Sequence, residues 1–221
     1  MTPRRAVLAG LALAAGAVRP AGAQTVSQTV SPLDALPPPG GPLPDGFDSA
    51  RTGRGRPARW EVVADPTAPG GRAVAQTEAD PADYRFPLLS WRGLSAADVE
   101  ASVRFKAVSG RGDRAGGLAV RLLDADTYIV VRANALEDNV RLYRVVRGDR
   151  QQFAGADVRV PAGAWHTLGL RAEGRRFTVT FNGRELFTAT DAALPGPGHV
   201  ALWTKADSVT WFSGLTIRKL A

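Results

Sequence analysis

Six side chains carry most of the chemistry that this sequence offers: Arg121, Tyr128, Arg132, Asn134, Arg141 and Tyr143. All six fall in the run from Asp113 to Tyr143, which alternates with period two almost throughout. In Gly117–Leu123 one parity holds Leu118, Val120 and Leu122 and the other Gly117, Ala119 and Arg121. In Tyr128–Asn134 the split is Ile129, Val131 and Ala133 against Tyr128, Val130, Arg132 and Asn134. In Val140–Val146 it is Val140, Leu142 and Arg144 against Arg141, Tyr143 and Val145. Successive strand side chains point to opposite faces, so the six are expected together on the open face of one sheet. Forked guanidinium donors, an amide and two amphipathic rings suit a polar, ring-shaped ligand, which needs in-plane hydrogen bonds and an apolar surface for its ring. The plainer alternative is a solvated face with Arg/Tyr cross-strand packing. A slip of one residue between strands would scatter the set.

Lys205, in Lys205-Ala206-Asp207-Ser208 after Trp203, is expected at the rim of this face, reaching a ligand or simply closing a turn beside Asp207. Carboxylate chemistry is less well supplied. Glycoside hydrolysis usually uses two facing carboxyls, and no strand here carries them in an E-x-D-x-x-E spacing. Asp126 and Glu137 are the candidates for a single acid or base, with Arg121 or Arg132 stabilising an enolate if a proton beside a keto group were removed. Glu137 also reads as a turn residue, as do Asp124 and Asp138. His166 and His199 are too few and too far apart for a zinc site. Calcium could draw on Asp113, Asp124 or Asp126 with backbone carbonyls, but no D-x-D-x-D-G loop is present, so no cofactor is expected. Phosphate-loop, nucleophile-elbow, H-E-x-x-H and dinucleotide motifs are missing.

These residues must be positioned by strands. Period-two runs span Trp60–Ala64, Arg72–Thr77, Asp98–Val108, the three segments above, Arg150–Phe153, His166–Ala172, Arg175–Phe181, Arg184–Thr190, Val200–Thr204 and Val209–Lys219, with Gly, Pro and Asn-Gly turns between them. Arg85–Leu89 contains Pro87 and reads as an edge strand, and Ser95–Asp98 as one helical turn. No segment sustains helical periodicity past the N-terminus. The expectation is an all-β, two-sheet sandwich or jelly roll over residues 47–221. Residues 24–46 are read as a Pro/Gly-rich linker that spaces the domain or covers an edge.

The N-terminus reads as an export signal: Arg4-Arg5, an apolar run from Ala6 to Val18, and Ala21-Gly22-Ala23 before Gln24. The paired arginines fit twin-arginine export as well as the general route. Cleavage near Ala23 would release a periplasmic or secreted protein. With no cysteine, it would rely on its hydrophobic core alone. The apolar run is too short to span a membrane and no later segment could. The formal net charge is +7, from 28 Lys and Arg against 21 Asp and Glu. Arg4, Arg5 and Arg19 leave with the signal, so the mature chain would carry +4. No basic stripe with interleaved aromatics marks a nucleic-acid partner, and a monomer is expected.

Three runs resemble a known family: Asp126-Thr127-Tyr128 with Val131–Asn139 and Leu142-Tyr143; Ala164–Leu168 leading to Phe177–Val179 and Phe181-Asn182-Gly183; and Pro195–Gly198 with Val200–Ser208. They are similar to exported bacterial domains of the concanavalin A-like lectin/glucanase superfamily. More specifically, they look like the laminin-G-like domain of unknown function associated with 3-keto-disaccharide hydrolases. The resemblance implies a jelly-roll sandwich of two curved antiparallel sheets, with any ligand on the concave sheet or its rim. Three readings follow: a carbohydrate-binding domain using the Arg/Tyr/Asn face; a hydrolase or lyase for 3-keto-glycosides; and a protein-interaction or envelope-structural module.

Overall fold

A computed structural model describes residues 28–221. The export signal and its expected cleavage point lie outside the described residues. The described residues form fifteen strands: β1 (Thr29–Val30), β2 (Phe47–Gly53), β3 (Trp60–Ala64), β4 (Arg72–Gln76), β5 (Arg85–Ala96), β6 (Val99–Ser109), β7 (Ala115–Asp124), β8 (Thr127–Asn134), β9 (Asn139–Val146), β10 (Asp149–Asp157), β11 (Trp165–Glu173), β12 (Arg176–Phe181), β13 (Arg184–Thr190), β14 (Gly198–Trp203) and β15 (Val209–Lys219). They pair antiparallel in two sheets. One has the order β13-β12-β11-β6-β15-β4-β3, with β1 beside β15; the other has the order β10-β9-β8-β7-β14-β5-β2. No α-helix occurs among the described residues. The fold is an all-β jelly-roll sandwich.

The core between the sheets is built from one parity of each strand. Val99, Ala101, Val103 and Phe105 of β6 meet Leu118, Val120, Ile129, Val131, Leu142 and Leu202 from the other sheet. At roughly 25 cal/mol per Å² of apolar surface removed from water, this layer is the main stabilising term in a chain without disulfides. The proline-rich segment before β2 lies against the domain. Leu33 is buried in the core, Gly40 N–H donates to the carbonyl of Val62 on the outermost strand β3, and β1 pairs with β15 at Arg218 and Ile217, beyond the stretch of β15 that β4 covers.

Two local expectations are corrected. β5 is not an edge: it lies between β14 and β2. Its Pro87 carbonyl accepts from Thr204 N–H, just past the end of β14. The residue without an N–H therefore sits where that ladder finishes, which is how proline is tolerated inside a sheet. The edge is instead β2, whose polar sequence hides its strand character. Ser95 and Ala96 continue β5 as extended backbone and do not form a helical turn.

Candidate functional site

The outer face of the seven-stranded sheet carries a second apolar cluster, made by that sheet alone: Phe86, Leu88, Ala119, Tyr128, Val130, Tyr143, Val145, Ala201 and Trp203 among others. No other sheet covers it. The sheet curls so far that its two ends touch across the hollow. Thr52 on edge strand β2 shares a hydrogen bond of 2.7 Å with the Tyr128 hydroxyl and donates to Ala125 O at 2.5 Å. From the opposite edge, Arg150 on β10 sets its guanidinium 4.7 Å from the centre of the Phe86 ring. Phe86 stacks on Trp203 at 5.4 Å, and Trp203 lies over Gly117. A Cβ at Gly117 would come within 3.0 Å of that ring, so glycine is what lets the indole lie flat on the floor.

The register places five of the six expected residues on this concave face. Arg132 stands opposite Arg141, Val130 opposite Tyr143 and Tyr128 opposite Val145, with Asn134 further along β8. Arg121 does not join them. The pairing of β7 with β8 is interrupted between Val120 and Asp124, and Arg121 takes a left-handed φ of 52°, a conformation that costs a non-glycine residue about 1–2 kcal/mol. The bulge turns its side chain into the end of the sandwich. There it donates to the carbonyls of Ala97, Leu194 and Gly174, reaches Asp98 at 3.4 Å, and lies over the ring of Phe177. It is a buried brace between four segments.

The five differ in what they offer a ligand. Tyr128 is fully buried; burial pushes its hydroxyl up to about 12 despite the bonds to Thr52 and Trp203. Arg132 is buried at the centre of a polar network. Its Nη2 donates to Glu137 Oε2 at 3.0 Å, to Asn139 Oδ1 at 3.0 Å and to the Tyr143 hydroxyl at 3.2 Å, and its Nε is buried without a protein acceptor. Asn134 is also buried, donating to Asp113 Oδ1 at 2.9 Å and accepting from Leu136 N–H. Arg141 lies back over Gly155 to meet Asp157 at 2.6 Å, so it serves the sheet edge. Tyr143 keeps a slightly exposed edge. The expected open bed of donors is therefore mostly consumed within the protein. What reaches solvent is a rim: Glu137, Tyr143, Arg150, Lys205, Asp83 and Tyr84.

Lys205 sits on this rim but does not pair with Asp207. Its Nζ bridges Asp113 Oδ2 at 2.8 Å and Asp83 Oδ1 at 3.0 Å. Asp207 instead accepts the backbone N–H groups of Arg111, Gly112 and Asp113, fixing the loop that delivers Asp113. Two carboxyls of the network are driven in opposite directions. Burial raises Asp113 above the usual aspartate range, although Lys205 opposes it. Glu137 is also partly desolvated, yet hydrogen bonds from Arg132 and Asn139 hold it below the usual range. Asp126 lies apart in the exposed β7–β8 turn, where its N–H donates to Asp124 and its carbonyl accepts from Gly148. Among the described residues no three His, Asp or Glu side chains gather as metal ligands.

Arg150, Tyr84 and Phe86 were not picked out from the sequence. Arg150 follows the Arg147-Gly148 turn on a strand with weak alternation. Only the curl of the sheet brings it to Phe86.

The sequence matches no protein family profile and no curated protein. Solved structures match the fold. A carbohydrate-binding module, CBM66, from Bacillus subtilis superposes with a TM-score of 0.64 at 20% identity, over 79% of this chain and 96% of that one. A β-glucanase from Bacillus licheniformis gives 0.55 at 12% identity, over 90% and 100%. A protein of unknown function with a galectin-like fold, also from Bacillus subtilis, gives 0.56 at 8% identity, over 78% and 89%. The architecture is thus that of the concanavalin A-like jelly rolls. At these identities the likeness defines fold and leaves function to the site.

Proposed function

We propose that this chain is an exported carbohydrate-binding domain that receives its glycan on the rim of the concave sheet. The observation that carries this reading is the Arg132 network. A buried guanidinium, a carboxylate, an amide and a tyrosine hydroxyl are tied together and open to solvent through Glu137, whose side chain is 48% exposed. Donors and acceptors held rigid in this way lose little entropy when a sugar hydroxyl replaces water. Tyr84, exposed on the same rim, supplies ring surface. The names of two structural neighbours, a carbohydrate-binding module and a glucanase, accord with the same ligand class.

A second reading, a hydrolase or lyase acting on 3-keto-glycosides, is supported by the opposite displacement of Asp113 and Glu137. Environments that push two carboxyls apart are how acid and base roles are divided at one pH.

Proton NMR of the protein with a panel of disaccharides and their 3-keto derivatives, with and without calcium, tests both. Saturation transfer to sugar protons without new signals is the expected result. Free sugar or an eliminated product would make the domain an enzyme. No transfer to any sugar would sink the carbohydrate reading and leave a protein-interaction module.

A further inference from the structure

Arg150 bears on which glycans would bind. Its guanidinium is clasped between two rings, 4.5 Å from the centre of Tyr143 and 4.7 Å from that of Phe86. The side chain is half-buried. The guanidinium carries its N–H donors in its own plane, so contact with ring surfaces does not use them up. No carboxylate or other acceptor engages them among the described residues. The other cations of this face are all engaged: Arg132 by Glu137, Lys205 by Asp113 and Asp83, Arg141 by Asp157.

The surroundings are electropositive. Lys205, Arg150 and Arg54 all act on Asp83 and hold its carboxyl below the usual range, the hydrogen bond from Lys205 foremost. Gly53, Arg54, Asp83 and Tyr84 line an adjoining pocket of about 400 Å³. Arg54 is exposed and makes no ion pair among the described residues. Arg54 and Asp83 thus line a pocket large enough for a sugar ring, with Lys205 bonded to Asp83 and Arg150 close enough to act on it.

We propose that this rim selects an acidic glycan, a uronate-containing oligosaccharide whose carboxylate is received edge-on by Arg150 with Arg54 beside it. The proposal rests on the carbohydrate reading above and adds the charge of the ligand. A fork of parallel N–H donors matches a planar carboxylate, and such charge-assisted pairs are roughly twice as strong as neutral hydrogen bonds. In this arrangement Asp83 is a built-in competitor for the same cations.

Calorimetric titration of the full chain with oligogalacturonate, oligoalginate and oligoglucuronate, each beside its carboxyl-reduced counterpart, tests this. At least one acidic oligomer should bind about tenfold tighter than its reduced form, with the preference shrinking as salt screens the charges. R150Q should abolish that preference, and R150K should restore part of it. D83N, at a side chain 83% exposed and so harmless to folding, should strengthen acidic binding several-fold. A role for Arg150 confined to packing would not produce that gain. Equal binding of acidic and reduced oligomers overturns the acidic assignment and leaves the carbohydrate reading standing. An acidic preference that survives R150Q, or a D83N variant that does not gain, overturns the assignment to this cation cluster. Failure of every oligomer, neutral ones included, overturns both.

Discussion

On β6, in the eight-stranded sheet, Val99, Ala101, Val103, Phe105 and Ala107 are buried, and the Glu100, Ser102, Arg104 and Lys106 between them are partly exposed. On β8, in the seven-stranded sheet, every residue from Tyr128 to Asn134 is buried. Both strands alternate in sequence, and both face the common core with one parity. They differ in what happens on the other side. The outer face of the eight-stranded sheet stays open. Trp165, Lys106 and Trp211 lie in one cross-strand row, the ammonium 5.1 Å and 4.6 Å from the two ring centres, with both tryptophans partly exposed. The outer face of the seven-stranded sheet curls until its own side chains roof it. Trp203 there is completely buried. Whether an outward-facing residue is surface or core therefore depends on the curvature of its sheet.

Breaking this contrast is expected to have its largest effect at Trp203. Trp203→Ala should cost about 3–5 kcal/mol, the usual range for emptying a buried aromatic site, whereas Trp211→Ala on the open face should cost about 1 kcal/mol. Urea unfolding of both variants reads the difference. Equal losses would mean that the concave face is not a second core.

Alkali should find the same distinction. The Tyr128 hydroxyl, raised from 10.0 to about 12 by burial, keeps its proton in the folded chain where the unfolded chain gives it up. Its contribution is intact below pH 10 and is lost as pH rises from 10 towards 12, by about 2–3 kcal/mol. Tyr128→Phe should lose less stability than the parent over that interval. Phenolate absorbance should show a late-ionising component that Tyr128→Phe removes. Equal alkaline losses in parent and variant would remove burial of Tyr128 as the cause.

Arg132→Met is expected to cost about 1–3 kcal/mol, because Glu137, Asn139 and Tyr143 lose their shared donor. A loss below the error of a denaturation curve would mean that the network does not brace the face. Glu137→Gln should act more gently, and its cost should appear near neutral pH and vanish in acid. The Glu137 carboxyl is held below its ordinary value of 4.5, so its contribution is present above that pH and disappears as pH falls through the folded value. The parent should lose melting temperature below pH 4.5 faster than the variant. Parallel acid limbs would show that the bond to Arg132 contributes nothing to stability. On the open face, Arg171→Ala, which removes exposed pairs to Glu100 and Glu173, should change stability by at most about 1 kcal/mol.

Much of the fold was legible because its signals are local. Asn182-Gly183, Glu173-Gly174 and Arg147-Gly148-Asp149 mark hairpins from sequence alone, and the alternation from Val99 to Phe105 places a strand and its buried parity without reference to anything distant. The face shared by Arg132, Asn134, Arg141 and Tyr143 was legible for the same reason. Arg121 was not, since parity counting assumes an unbroken ladder and the bulge after Val120 reverses it. Pro87 misled in a similar way: its cost depends on whether a neighbouring strand reaches that position, and β14 stops just short of it. β2 carries too little apolar alternation to announce itself, and it is held in place by its partner β5.

The sequence by itself determined that the described chain is a succession of antiparallel strands, which parity of each feeds a common core, and that one sheet bears an unusual concentration of arginine, tyrosine and asparagine on its other side. Only the tertiary structure decided that this side curls closed, that Tyr128, Arg132 and Asn134 are spent inside the protein, and that Arg150, Lys205 and Asp83 make up the accessible rim. The reason is geometric. Period two records which side of a strand a residue occupies but carries no measure of how tightly the sheet bends. That bend, which brings Thr52 to Tyr128 and Arg150 to Phe86, decides which of the polar groups are left for a ligand.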